Sequence, residues 1–261
     1  MNGYQHLLLN IDAGIARITL NRPAAGNALH LALAQELAHA VLVCEQQPSV
    51  KVVLLTGNGP MFCAGGDLKA MAGFGEQVGL GVRELADALH RSISRLSRMD
   101  APVVVAVNGP AAGAGLGLAM AGDIVIAAPS ASFTMAYTRA GLSPDGGATQ
   151  ILPRMVGLRR AQELALTNRT LSAQEALDWG MLTRVAQDGA LLDEAMAICR
   201  QLAAGPKLAQ GHVKKLLLCG QANSLEAQLE LESRAIALAA EADDGREGIA
   251  AFSAKRKPQF R

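Results

Sequence analysis

The sequence predicts an α/β protein built on a mostly parallel sheet, with an all-helical C-terminal part. Short apolar runs that read as strands alternate with segments whose apolar residues step by three or four. That order implies right-handed crossovers and a covered sheet. From Leu191 onward every segment reads as helix. Half of the 261 residues are hydrophobic but only 3% are aromatic, so the core must be packed from Ala, Val, Ile and Leu. The change to pure helix divides the chain into a core, residues 1–190, and a C-terminal helical region, residues 191–261.

Taken in order, residues 4–10 and 14–20 are expected as a hairpin turned at Asp12-Ala13-Gly14, with Ile15, Ile18 and Leu20 supplying strand character. Leu29, Leu33, Leu37, Val41 and Cys44 recur at helical spacing, which predicts a helix over 28–46. A buried strand over 50–56 stops at Gly57-Asn58-Gly59-Pro60. Residues 72–80 are expected as a mobile glycine-rich segment, followed by a helix over 83–99 with Leu85, Leu89, Ile93 and Leu96 inward. Strands are expected at 103–107, 123–128, 132–135 and 182–185, with helices at 148–156, 159–167 and 172–178.

Composition excludes several classes. Net charge is +1 and the basic run Lys255-Arg256-Lys257 is short, which argues against nucleic acid as a main partner. Cys44, Cys63, Cys199 and Cys219 have no CxxC pairing and no metal-ligand spacing with the five histidines, as suits buried thiols in a reducing cytoplasm. The first residues lack the basic and long apolar regions of a secretory signal, and no apolar run is long enough for a membrane span.

Residues 101–129, APVVVAVNGPAAGAGLGLAMAGDIVIAAP, are the most informative stretch. An apolar strand ends at Asn108-Gly109-Pro110, and Gly113, Gly115 and Gly117 then lead into a small-residue helix. Between Pro110 and Ala121 there is only Ala, Gly, Leu and Met, so any chemistry must come from the backbone. Small residues admit close approach to the main chain, and N–H groups at a helix start lack intrahelical partners. Such a segment suits a negatively charged oxygen; it is equally a tightly packed strand-to-helix turn.

The ordered set LNRPAAGNAL (20–29), FCAGGDL (62–68), AVNGPAAGAGLGLAMAGDIVIA (106–127), LSPDGGATQILPRMVG (142–157), LSAQEALDWGMLTRV (171–185) and DGREGIAAFSAKRKPQF (244–260) resembles the crotonase, or enoyl-CoA hydratase/isomerase, superfamily over nearly the whole chain. The likeness is strongest to ring-1,2-epoxyphenylacetyl-CoA isomerase-type members. It implies a crotonase-like spiral of ββα units with two roughly perpendicular sheets, and C-terminal helices that build a homotrimer or a hexamer made as a dimer of trimers. It implies an acyl-CoA thioester as ligand, with no metal or redox cofactor. The family pattern puts two oxyanion-binding N–H donors at Gly66 and Ala114. It also brings Ala64, Gly65, Leu68, Pro110 and Gly113 to the substrate, and makes Asp67 a shaper of the Gly66 loop. Phe252 and Lys255 are carried over to the coenzyme A end, from this subunit or a neighbour, with Arg22 or the tail supplying charge.

Hydratases of the superfamily use two glutamates. Matching Gly122-Asp123-Ile124 and Phe133 places Gly117 and Tyr137 at those positions. Glycine has no proton to move, and a phenol of pKa about 10 is a poor base near neutrality. The remaining carboxylate is Asp145 in SPDGG, at a loop where isomerases of the superfamily carry an acidic residue. The expectation is proton removal and return by Asp145. A helix N-cap is its structural alternative. Hydratase activity and a non-catalytic acyl-CoA binder stay open. So does a reading similar to the 4-chlorobenzoyl-CoA dehalogenases, in which Asp145 attacks an aryl ring and His90 activates water; His90 could also simply pack on its helix.

Overall fold

The computed structural model describes residues 3–260. The chain begins with β1 (Leu7–Asp12) and β2 (Ile15–Leu20), an antiparallel hairpin pairing Leu7 with Leu20 and Asp12 with Ile15. Ala13 and Gly14, at φ 47° and 79°, form its two-residue turn. A two-residue turn leaves Asp12 in the strand, so β1 runs past the expected end at residue 10. Next come α1 (Leu31–Gln46), β3 (Val52–Gly57), α2 (Leu68–Ala72), α3 (Val78–Arg98) and β4 (Val103–Val107). The middle of the chain holds β5 (Ala111–Ala112), α4 (Ala114–Met120), β6 (Ile124–Ala127), β7 (Ser132–Thr134), α5 (Ala148–Val156) and α6 (Leu158–Thr167). Then follow β8 (Leu171–Ser172), α7 (Ala173–Asp178) and β9 (Arg184–Val185). The chain closes with α8 (Leu191–Ala203), α9 (Lys207–Gly220), α10 (Leu225–Glu241) and α11 (Asp243–Ser253).

Two expected boundaries move for physical reasons. Helix α1 starts at Leu31 rather than residue 28, because Leu29 pairs with Gly66 as an isolated parallel bridge. His30 then caps the helix, its Nδ1 accepting the Leu33 N–H at 3.1 Å. Residues 72–80 are not a plain glycine-rich loop. They form the end of α2, a 3-10 turn at Gly75–Gln77 and the first residues of α3. The Phe74 ring occupies the space a side chain on Gly81 would need, which folds this segment onto α3.

The main sheet has six strands in the order β1-β2-β3-β4-β6-β9, parallel from β2 onward. A second sheet has the order β5-β7-β8. Strand β4 is buried along its whole length, as its unbroken valine run suggests. Leu33, Leu37 and Val41 of α1 and Leu89 and Leu96 of α3 fill one face of the main sheet. Val52, Leu54, Val104, Ala106 and Ile126 face the other way, onto Ala195 and Cys199 of α8.

A second tie joins the C-terminal helices to the sheet. The buried Lys214 of α9 reaches Asp123 Oδ2 at 2.7 Å and also donates to the carbonyls of Leu96 and Ala101. The same carboxylate oxygen accepts the Val103 N–H at 2.7 Å, at the start of the central strand. Burial acts against both charges, lowering the Lys214 pKa and raising that of Asp123. The attraction between them and the three acceptors around the ammonium oppose that cost.

The cap of α1 gives a pH prediction. Burial first, then Arg22 and His6, hold the His30 imidazole below its ordinary value of 6.5. Native His30 is therefore neutral, and protonation removes the lone pair that accepts Leu33 N–H. The unfolded chain binds the proton more readily, so its contribution is complete above pH 6.5 and is lost as pH falls through the lowered native value. Urea unfolding across that range should show the loss, and His30→Asn, which caps without ionising, should flatten it.

Candidate active site

Two glycine-rich loops follow β3 and β4, and they lie backbone on backbone. Cys63 pairs with Ala111 as a parallel bridge: the Cys63 N–H donates to Pro110 O at 3.2 Å, and the Ala112 N–H to Cys63 O at 2.9 Å. A side chain on Gly115 would fall on the Cys63 carbonyl oxygen, and one on Gly109 on the Pro60 carbonyl oxygen. A Cβ on Gly65, at φ 92°, would come 2.7 Å from Ala112 O. Asn108 locks the pair further, accepting the Gly57 N–H and donating to Gly59 O at 2.8 Å.

This contact places the two expected donors on one cavity of about 240 Å³. In the bridge between Leu29 and Gly66, Leu29 N–H bonds Gly65 O and Asp67 N–H bonds Leu29 O. Those bonds use the peptides on either side of Gly66, so its own N–H is outside the pairing. Ala114 is the first residue of α4, where an N–H has no intrahelical acceptor. Of the residues expected at the site, Ala64, Gly65, Gly66, Leu68, Gly113, Ala114, Tyr137 and Asp145 line this cavity. Apart from Ser143 the remaining wall is apolar, and much of it was missed in the sequence: Leu29, Met71, Val82, Leu85, Ala86, Leu89 and Leu142. The spacing 82, 85, 86, 89 on α3 is the inner helical stripe that signals such a wall.

Asp145 is the only carboxylate among the described residues that line the cavity, and it is not a helix cap. Helix α5 begins after Gly147 without any side-chain cap. The Asp145 carboxylate turns to Tyr137 instead, whose hydroxyl donates to Oδ1 at 2.6 Å. Burial, and then the adjacent carboxylate, push the Tyr137 phenol above its ordinary value of 10. It stays protonated, a fixed donor rather than a base. His90 lies behind the loop on α3. Its Nε2 accepts the Gly146 N–H at 3.0 Å and sits 3.4 Å from Asp145 Oδ2.

The other expected residues lie outside the lining of this cavity. Gly117 does not line the cavity. It is buried against Gly146, whose carbonyl oxygen would stand 3.0 Å from an added Cβ, so a side chain there requires that peptide to give by a few tenths of an ångström. Pro110 serves the inter-loop bridge rather than the cavity. Asp67 caps α2 through Ala70 N–H at 3.0 Å and pairs with Arg22 at 3.1 Å. Partial burial works to raise its pKa, but those two partners hold it below the ordinary range. Arg22 also donates to Ala28 O, so it is spent on joining loops and is not free for a phosphate. Phe252 and Lys255 lie exposed on and just after α11, away from this subunit's cavity.

A wider groove of about 550 Å³ runs between α4, α5 and α9. Its wall is mainly apolar, and its one ion pair, Lys214–Asp123, is already satisfied. It lacks the paired loop donors and is set aside as the site. Among the described residues, no group of three or more His, Cys, Asp or Glu could hold a metal ion, and no helix is long and apolar enough to cross a membrane.

The fold, the paired loop donors and the lone carboxylate define a crotonase-type protein. The chain belongs to the enoyl-CoA hydratase/isomerase family, whose model matches residues 10–261. It is 41% identical over 260 residues to a 1,2-epoxyphenylacetyl-CoA isomerase of Escherichia coli (strain K12), covering 98% of each chain. It is 37% identical over 232 residues to a 4-chlorobenzoyl coenzyme A dehalogenase-2 of Arthrobacter sp, covering 88% of this chain and 84% of that one. A crystal structure of an enoyl-CoA hydratase from Polaromonas sp. JS666 superposes with a TM-score of 0.93 at 35% identity, covering 98% and 99% of the two chains.

The contact between the loops gives a stability prediction. Gly115→Ala should destabilise the protein by about 1–3 kcal/mol, since neither Cys63 O nor the helix has room to yield. Gly79→Ala, with nothing within 4 Å of the new methyl, should cost nothing. Urea unfolding midpoints of the two variants make the comparison.

Proposed function

We propose that this protein is an acyl-CoA isomerase in which Asp145 moves a proton on the acyl group and the Gly66 and Ala114 N–H groups hold the thioester oxygen. The observation that carries the reading is the acid–base inventory of the cavity: Gly117, at a hydratase glutamate position, has no side chain and packs on the Gly146 peptide, and Asp145 is the one carboxylate among the described residues that line the cavity. With a 3-enoyl thioester, Asp145 takes a C2 proton. The C–H electron pair moves onto the carbonyl oxygen, where each fixed donor is worth about 3 kcal/mol. Return of the proton at C4 gives the conjugated 2-enoyl product, so one base suffices. With a ring epoxide, as in the E. coli relative's named substrate, the same groups would serve ring rearrangement. The chemistry uses protein groups and the coenzyme A carried by the substrate.

Asp145→Asn is expected to lower turnover by at least about a hundredfold while acyl-CoA still binds. Stopped assays with 2-enoyl, 3-enoyl and aryl thioesters, scored separately for hydration and isomerisation, read this out. Unchanged turnover would remove the assignment. The 3.4 Å approach of His90 to Asp145 favours one second reading, an aryl-CoA dehalogenase-like hydrolase. Release of halide from a haloaryl-CoA would select it.

The same proposal assigns residues 191–261 to subunit assembly, in a cytoplasmic homotrimer or hexamer. Helix α10 buries no residue, and Leu217, Leu225, Ile236 and Phe252 are 69–86% exposed. Covering them by copies of the chain would also bring Phe252 and Lys255 to a neighbour's coenzyme A. Sedimentation equilibrium should give three or six times the 27.1 kDa chain mass; a monomer would remove this part of the reading.

A further inference from the structure

Resting on the assignment of Asp145 as the base, we propose that Tyr137 and His90 are positioning residues that leave Asp145 a single working oxygen, Oδ2, and that protonation of His90 shuts that oxygen off.

The geometry is specific about which atoms are taken. Oδ1 is held by the Tyr137 hydroxyl at 2.6 Å, and that phenol is half-buried in the cavity wall beside Ala136 and Ala140. Oδ2 has no such donor. On the other side, the Gly146 N–H points at His90 Nε2 at 3.0 Å. A nitrogen that accepts a hydrogen bond must present a lone pair, so this contact assigns a neutral imidazole with its proton on Nδ1. His90 then pins the peptide that follows Asp145, while Tyr137 pins the carboxylate. Base orientation is fixed from both ends, which is what proton transfer needs.

The same Nε2 lies 3.4 Å from Oδ2. The two contacts exclude each other. When Nε2 carries a proton it no longer accepts from Gly146, and it becomes a cationic donor beside the one free carboxylate oxygen. The base is then engaged and its loop released in one step. The charged groups around His90 are Asp145 from the loop and Asp87, Arg91 and Arg95 of its own helix; Tyr137 faces only the far oxygen. In the neutral arrangement His90 has spent the lone pair that activating a water molecule would require.

Kinetics and spectroscopy test this together. Tyr137→Phe should lower kcat about ten- to a hundredfold with a small change in KM, because it frees the carboxylate to turn. His90→Ala should lose turnover to a similar degree. His90→Gln offers an acceptor to Gly146 but does not ionise; it should recover the activity that alanine loses, and its acid limb should move to lower pH than the wild type's. Heteronuclear NMR of the imidazole nitrogens, with the His90 signal assigned by its loss in His90→Gln, should show the Nδ1–H tautomer on the alkaline side of that limb. Inactive His90→Gln with a native unfolding midpoint would overturn the positioning role, and so would an Nε2–H tautomer. The failure of the isomerase assignment looks different: turnover that survives Asp145→Asn. The tautomer is read without any substrate, so it stands or falls on its own.

Discussion

The contact on which the site depends is between two main chains. Cys63 and Ala111 pair, and Gly65, Gly109 and Gly115 let neighbouring carbonyls come closer than any side chain would permit. Hydrogen bonds from Asn108 and the Cys63–Ala111 bridge hold the loops at that separation. Because donors fixed by covalent backbone geometry do not reorganise during a reaction, they stabilise developing charge more effectively than mobile side chains. The sheet beneath serves this contact: β3 and β4 are adjacent and parallel, so the loops leaving their C-terminal ends emerge side by side.

Much of this is legible in the sequence, and the rest is hidden for identifiable reasons. The valine run of β4, the periodicity of α1 and the change to helix at Leu191 report burial and period directly. Gly66, Ala114 and Asp145 are found by motif, and the structure brings all three to one cavity. What spacing does not disclose is the direction of a side chain. Asp145 before two glycines looks like a helix cap, yet a half-buried phenol eight residues earlier draws it away. Asp67, expected to shape its loop, is held by Ala70 N–H and Arg22, partners that spacing alone does not name. The segment 72–80 misleads because its glycines read as a loop, whereas Gly81 is small so that Phe74 can pack on it.

The family contains relatives named for isomerisation, hydration and dehalogenation, all on one scaffold. In this chain position 117 is a glycine packed on the Gly146 peptide, and the carboxylate on the cavity comes from Asp145, one residue before that peptide. Position 117 and the Asp145 loop are therefore coupled, because a side chain on α4 there requires the Gly146 carbonyl to shift.

Lys214 carries a different consequence. It neutralises Asp123, which receives the first N–H of the central strand, and α8 covers the apolar underside of the same sheet. Both lie in the last third of the chain. During synthesis β1 to β6 emerge well before α8 supplies their cover and Lys214 the counter-charge. The nascent sheet must wait with an unpaired carboxylate and an open hydrophobic face until residue 214 has left the ribosome, so the interval before α8 and α9 arrive is when this polypeptide most needs protection from aggregation.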